Sequence, residues 1–402
     1  MTASAGGDSP PGGGTEDLRD METMSTRKNR AEIAVVGGGL SGLALAYGLM
    51  RLGHEVAILD RGEGGFQASV ANFGLVWVQG KGPGNPAYAR WNRRAAAEWP
   101  ALAAELADLT GIDVNLRQGG GLFLCLSEAD LERRVATFSR MRAALDGDYP
   151  FTVMDHDALA ERIPAIGPEV VGGTFCPADG HVNPLKACRA LRRAFVGRGG
   201  HLLSGAAVET IAPLSGGGFR LTAGGRPFEA GKVVIAAGLD CARLAPMVGL
   251  TAPVSPQRGQ VLITERIRPF LDLPEAHVRQ TAEGTVQIGD TKEDVGLDTG
   301  VTVTAMAAMA ARAARFFPRL SGVRVVRAWG GLRILTPDVA PIYARSESCP
   351  GAYVAACHSA VTLASVHAGA VARWIADGTE PFAHFEVFHG KRFAIPPPAG
   401  RR

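Results

Sequence analysis

Two short stretches carry residue types whose spacing can do chemistry. The first is Gly37-Gly38-Gly39-Leu40-Ser41-Gly42, a G-x-G-x-x-G turn, with Asp60 following about twenty residues on. In such a turn the first glycine allows the tight bend. The second lets backbone approach a pyrophosphate, and the third lets a helix pack on the strand. An acid at the Asp60 position can hold a pair of ribose hydroxyls, so a dinucleotide is the implied ligand. The second stretch is Trp329-Gly330-Gly331-Leu332-Arg333-Ile334-Leu335. An unpaired charge in so apolar a run is costly. A guanidinium is also a planar bidentate donor that stays charged, which suits a carboxylate. His358 is a further candidate, either a source of positive charge beside a bound group or a hydrogen-bonding residue of the core.

These residues need a βαβ unit to place them. Residues 31–36 are apolar and β-branched (Ile33, Val35, Val36) and read as a buried parallel strand. Leu43, Ala44, Tyr47, Leu49 and Met50 give the following segment the apolar face of a helix, which Gly53 ends. That helix offers its N-terminal N–H groups to phosphates. Residues 54–59 form the next strand. Farther on, 185–198 reads as a helix, 202–208 as a strand, and 232–238 as a buried strand stopped by small residues. Residues 120–126, 170–176, 259–264 and 285–289 read as strands of an antiparallel sheet. Residues 88–109 and 302–317 are Ala-rich helices, the second ended by Pro318. No internal repeat is visible.

The bulk properties bound the rest. A chain of 402 residues can form two domains, and 46% hydrophobic with 20% charged residues is the composition of a globular enzyme. The net charge of +3, with dispersed arginines, gives no sign of nucleic-acid binding. Cys125, Cys176, Cys188, Cys241, Cys349 and Cys357 are far apart and lack metal-ligand spacing, which points to free thiols in a reducing cytoplasm. No apolar run is long enough to span a membrane. Residues 1–30, rich in Gly and Pro with mixed charges, read as a disordered tail without secretion-signal or transit-peptide character. Within it, Met21 and Met24 offer alternative starts. Residues 391–402, with Pro396-Pro397-Pro398, read as a fraying end.

Several stretches in order resemble a known family. Gly37, Gly39, Gly42, Ala46 and Gly53 resemble the extended fingerprint of FAD-binding flavoproteins. Ser69-Val70-Ala71-Asn72-Phe73-Gly74 resembles the segment that lies against the isoalloxazine ring, and Val208 the residue whose backbone clamps adenine. Trp329 to Asp338, with Pro341, resembles the G-L-R-P-x-T-P-D-x-x-P signature of the D-amino acid oxidase family, which includes glycine oxidase, sarcosine oxidases and D-amino acid dehydrogenases. Tyr353 to Ala364 resembles its last strand and the helix facing the flavin pyrimidine edge. Asp179 to Pro184 together with His358 to Leu363 is most similar to flavin subunits of opine, D-hydroxyproline and cyanide-forming glycine dehydrogenases. There are two departures: Asp60 stands where the family usually has Glu, and Ile334 where it has Pro.

The resemblance implies a mixed α/β protein: a doubly wound, Rossmann-type FAD domain and a discontinuous substrate domain built on a mixed or antiparallel sheet. The FAD domain would take 31–85, 180–248 and 328–390, and the substrate domain 86–179 and 249–327. FAD would be held by Gly37, Gly39, Leu40, Ser41, Gly42, Asp60 and Arg61, and by Ser69, Asn72, Phe73 and Gly74. Val208, Ala237, Gly238 and Gly331 would join them, with Ser359, Ala360, Val361, Thr362 and Leu363 at the pyrimidine edge. Arg333 and His358 would be the catalytic residues, Arg333 holding a substrate carboxylate. No metal is implied. The expected activity is oxidation of a small amino acid or carboxylate-bearing amine: glycine, a D-amino acid, an N-alkyl amino acid or an opine. Hydride transfer to flavin needs no nucleophile. Electrons would leave to oxygen or an electron-carrier partner, and partner subunits of a hetero-oligomer are compatible with the resemblance. Two other readings remain. An aromatic hydroxylase would need NAD(P)H and a late Gly-Asp, for which Gly289-Asp290 lacks the usual small residues after it. A non-catalytic flavin-binding subunit would leave Arg333 without a task.

Overall fold

The structure, a computed structural model, describes residues 29–62 and 68–394. The tails expected at 1–30 and 391–402 therefore lie largely outside the described residues. The chain opens with β1 (Arg30–Val36), α1 (Leu40–Arg51), β2 (Val56–Leu59), β3 (Leu75–Val76) and α2 (Pro86–Thr110). Next come β4 (Gly121–Cys125), α3 (Glu128–Ala144), β5 (Thr152–Asp155), α4 (His156–Arg162), β6 (Gly172–Cys176), β7 (Gly180–His181) and α5 (Pro184–Gly197). Then follow β8 (His201–Leu203), β9 (Val208–Pro213), β10 (Phe219–Ala223), β11 (Arg226–Ile235), α6 (Cys241–Leu244), β12 (Ser255–Arg266), β13 (Val278–Gln280) and β14 (Thr285–Ile288). The last elements are α7 (Val303–Phe316), β15 (Val325–Leu335), β16 (Ile342–Arg345), β17 (Ala352–Ala356), α8 (Ala360–Val366) and α9 (Ala372–Asp377).

The largest sheet runs β16-β17-β11-β1-β2-β8, with β10 added antiparallel to β11 and β9 antiparallel to β10. Strands β8, β2, β1, β11 and β17 are parallel, and β16 turns back on β17. Side chains alternate between the faces because the strand period is two. Ile33, Val35, Ile58 and Val234 meet a layer of α1, α2, α5 and α8. Ala34, Val36, Ala57, Leu59, Val233 and Ile235 meet β9, β10 and residues 241–252 on the other side. Each fully buried aliphatic side chain contributes roughly 1.5–3 kcal/mol, so burial on both faces makes this sheet the rigid part of the molecule.

The strands expected elsewhere form two antiparallel sheets, β13-β14-β12-β15 and β4-β6-β5. They meet at a bridge between Leu122 and Glu275, whose buried carboxylate accepts from the amides of Leu124 and His277. Helix α7 packs Met309, Ala313 and Phe316 against this region, capped by Thr302, whose Oγ1 accepts from the Ala305 amide.

Three expectations meet differences. The strand expected over 202–208 is two strands, because the chain turns at Gly205 (φ 72°) and β9 leaves to pair with β10. Helix α2 falls in the segment assigned to a substrate domain, yet Trp91, Ala95, Trp99, Leu102 and Leu106 pack it into the core of the large sheet. Strand β15 starts before 328 and runs as one edge of the four-stranded sheet, paired with β12 from Ser255–Leu335 to Thr264–Val325.

Close packing of α1 sets a test. A Cβ on Gly48 would stand 2.3 Å from the Ala368 carbonyl oxygen, in the turn between α8 and α9. Gly48→Ala should therefore cost about 1–3 kcal/mol of stability, read as a lower urea midpoint at constant m value. A Cβ on Gly197 meets nothing within 4 Å, and Gly197→Ala should leave the midpoint equal or slightly higher.

Candidate active site

The carboxyl ends of β1, β2, β11 and β17 share one edge of the large sheet, where ligands of doubly wound folds bind. Gly37 leaves β1 with φ 106°, and a Cβ there would lie 2.6 Å from the Ala236 carbonyl oxygen beyond β11. A Cβ on Gly42 would lie 1.9 Å from the Gly37 carbonyl oxygen, so α1 reaches the turn only because both residues lack side chains. Asp60 is pinned at the end of β2, its carboxylate accepting from the amides of Gly38 at 2.7 Å and Gly62 at 2.9 Å. Ser69 Oγ accepts from the Leu40 amide at 2.9 Å, in the first turn of α1, and Ser41 Oγ lies 3.7 Å from Cys357 Sγ.

Strand β15 lies flush against this edge. Gly331 presses on Ala71, where a Cβ on the glycine would come within 2.4 Å of the Ala71 Cβ. Trp329 Nε1 donates to the Ala71 carbonyl at 3.1 Å, so this tryptophan ties the 69–74 segment to the strand. Ile334 faces Gly238, 3.7 Å from the position of a Cβ there. Between these contacts stands Arg333, whose side chain is 18% exposed. Its guanidinium lies over Gly259 of β12, donates to the Arg258 carbonyl at 3.2 Å, and pairs with the Asp290 carboxylate. Gly289-Asp290 follows β14, so it serves Arg333 and does not open a helix, as a hydroxylase motif would. Arg258 is buried and pairs with Glu293 and Asp298; the first of these contacts lowers Glu293 to about 2.

His358 follows β17 and precedes α8, half-buried. Burial, then the charges of Lys81, Arg333 and Lys292, hold it well below the usual histidine range, so it is neutral. That direction favours the hydrogen-bonding alternative over the source of positive charge considered from the sequence. Lys81, half-buried, is the cation that sequence reading passed over. Burial and the charges of Arg333 and Lys292 lower its ammonium to about 8. It lies in a turn in which its amide donates to the Val78 carbonyl at 3.1 Å. The turn is held by buried Asp179, which accepts from the Val78 amide at 2.5 Å and from Gln79 Nε2 at 2.8 Å. Burial raises Asp179 to about 7 against those hydrogen bonds.

The other expected residues are distributed as follows. Arg61 pairs with Asp240, just beyond Ala237 and Gly238. Asn72 Oδ1 accepts from the Gly74 amide at 2.7 Å and closes a turn. Phe73 lies under Gly289, and its carbonyl accepts from the buried Arg279, which also reaches His181 Nδ1 at 3.1 Å. Burial and the neighbouring arginines hold His181 down at about 3. Val208 opens β9 with its side chain in the core and its carbonyl accepting from Arg243 at 2.8 Å. Ser359 is the N-cap residue of α8 but turns its hydroxyl to Tyr88 at 2.8 Å, and Thr362 Oγ1 accepts from the Trp77 amide at 3.0 Å. Ala360, Val361 and Leu363 complete the first turn, whose carbonyls at 361 and 362 accept from Trp99 Nε1. Asp179→Ala leaves the amides of Val78 and Gln79 without an acceptor, and should cost about 2–4 kcal/mol by denaturant melt. Protease sensitivity around Lys81 should rise with it.

Residues 32–376 match the family of FAD dependent oxidoreductases designated DAO. The chain is 42% identical over 363 residues to an opine oxidase subunit of Agrobacterium tumefaciens, covering 90% of this chain and 97% of the relative. It is 29% identical to glycine oxidase of Geobacillus kaustophilus over 82% of this chain and 88% of that protein. The crystal structure of glycine oxidase from Geobacillus kaustophilus superposes with a TM-score of 0.81, at 27% identity, over 89% of this chain and 96% of that one. The chain belongs to the DAO family and is an FAD-dependent oxidoreductase acting on amino acid or amine substrates.

Proposed function

We propose that the chain oxidises the C–N bond of a small amino acid or secondary amine that carries a carboxylate. The observation that supports this is Arg333: a largely buried guanidinium at the crevice, already engaged with one carboxylate, that of Asp290. The β1–α1–β2 turn fits FAD, since Gly37 and Gly42 keep the cradle free of side chains and Asp60 stands at the ribose position. When bound, FAD accepts hydride from the carbon beside nitrogen and passes the electron pair to oxygen or to an electron-carrying partner.

The chain's own residues bind and orient. Arg333 takes the substrate carboxylate through paired N–H donors, in exchange for Asp290. His358, being neutral, accepts or donates a hydrogen bond without adding charge. The oxidised substrate is an imine, which water hydrolyses to a 2-oxo acid and an amine, or which stays within a ring when the substrate is cyclic. Similarity to the Agrobacterium opine oxidase subunit supports an opine among the candidate substrates, beside glycine, D-amino acids and N-alkyl amino acids. The same similarity supports assembly with other subunits. The six free cysteines support a cytoplasmic setting, and no helix among the described residues is long and apolar enough to cross a membrane.

Anaerobic mixing with a panel of D- and N-alkyl amino acids should bleach the flavin absorbance. Arg333→Ala should raise the Kd of carboxylate substrates by about thirtyfold or more, with Arg333→Lys intermediate. A flavin that no amine bleaches, or affinities unchanged in Arg333→Ala, would overturn the reading. Peroxide formed stoichiometrically under air identifies oxygen as the acceptor.

A further inference from the structure

Arg333 has company that one substrate carboxylate leaves uncompensated. Lys292, exposed, lies two residues beyond Asp290, the partner of Arg333. Its place is fixed from both sides: Thr291 Oγ1 accepts from the Gln260 amide at 3.0 Å, and Glu293 is bound by Arg258. Lys81 approaches from the turn after β3, which pairs with β7 in a two-stranded sheet of its own. Thr362 holds the Trp77 amide and Asp179 the Val78 amide, and the 78–81 turn then delivers the lysine beside the N-terminus of α8. Neither ammonium has a hydrogen-bond or ion-pair partner among the described residues. Lys81 lies close enough to feel the charges of Arg333, Lys292 and Asp290, and of these three cations Arg333 is the one paired with Asp290. Asp179 also faces Lys81, but its oxygens are taken by Val78 and Gln79. Glu293 and Asp298 are taken by Arg258.

We infer that Lys81, assisted by Lys292, forms a second anion subsite that takes a second carboxylate of the substrate. The substrate class is then an amine diacid: an N-(carboxyalkyl) amino acid, with its carboxylates on either side of the nitrogen, or an acidic D-amino acid. This rests on Arg333 anchoring the first carboxylate. A partly desolvated ammonium without an anion is costly, and a monocarboxylate held by Arg333 does nothing for it, whereas a diacid neutralises both sites. The depressed proton affinity of Lys81 is the response of such an unmatched cation.

Two thioethers test it, because sulfur in place of nitrogen leaves no C–N bond to oxidise. Thiodiglycolate carries two carboxylates and (methylthio)acetate one. Titrated into the FAD-loaded protein and followed by flavin absorbance, the diacid should bind about tenfold or more tighter than the monoacid. Lys81→Gln should shrink that preference to within about threefold by weakening the diacid, and Lys81→Arg should keep it. Equal affinities in the unmodified protein, or equal weakening of both ligands by Lys81→Gln, would overturn the subsite; the second result would instead give Lys81 to the cofactor or the fold. FAD content of each variant, read from its spectrum, separates loss of cofactor from loss of ligand. Arg333→Ala distinguishes the two levels of inference. If it leaves monoacid affinity unchanged, the anchor itself fails; if it weakens the monoacid while the intact protein shows no diacid preference, only the second subsite fails. Turnover of N-(carboxymethyl)glycine against D-aspartate then shows which diacid suffers the larger Lys81→Gln penalty.

Discussion

The site exists because β15 closes on the 69–74 segment at a glycine that puts no side chain in the way. Gly331 of β15 sits on Ala71, with the Trp329 indole bonded to the same residue's carbonyl. The dinucleotide turn and His358 belong to connections of the large sheet, and Lys81 to the turn after β3. Arg333, Asp290 and Lys292 belong to the four-stranded sheet. Any side chain at 331 would wedge the strand away from the 69–74 segment and move Arg333 from the crevice. The contact also explains why β15 is apolar around Arg333: the strand must bury this end against the 69–74 segment while presenting that guanidinium.

That apposition fixes the electrostatics. Interactions between charges strengthen as water is excluded, and so does the penalty for an unmatched one. Here the balance among several groups is uneven. Arg333 has Asp290, Arg258 has Glu293 and Asp298, and Arg279 has the Phe73 carbonyl and His181. Burial and the neighbouring cations hold His358 well below the usual histidine range, which favours its ring as a hydrogen-bonding surface. Lys81 is too basic to escape in the same way. A lysine held at about 8 still carries its charge through most of the neutral range, so an anion arriving at the crevice meets it as a cation.

Much of the positioning machinery was legible because it is local. The 31–60 unit declares itself through strand, glycine turn, helix and acid within one short segment, and its packing needs no distant partner. Arg333 stood out because its immediate neighbours are apolar. Lys81 did not, because Gly80-Lys81-Gly82-Pro83-Gly84 reads as an ordinary loop, and the charges that define it arrive from residues 292 and 333. Asp179 was visible only as a letter in a motif; its task depends on amides at 78 and 79 that tertiary packing brings to it. Ser359 and Thr362 show a different limit. Their place at the start of α8 was readable, but the phase of the helix turns their hydroxyls to Tyr88 and the Trp77 amide. The strand expected over 202–208 failed for a related reason. An apolar run records burial, and it does not record where pairing passes from one neighbour to another.

Asp290 ties these threads together. Left alone, a guanidinium as buried as that of Arg333 would destabilise the crevice, and Asp290 supplies the missing anion. On the proposed reading, a substrate carboxylate would displace or share a partner that is already satisfied, which would reduce the net gain from one carboxylate. Selectivity then has to come from groups still lacking a counter-charge. Lys292 lies on the same loop as Asp290, and Lys81 lies close enough to feel the charge of Asp290, both without such a partner among the described residues. On that reading, the carboxylate that stabilises the ligand-free protein would also be the element that makes a single acid a poor competitor.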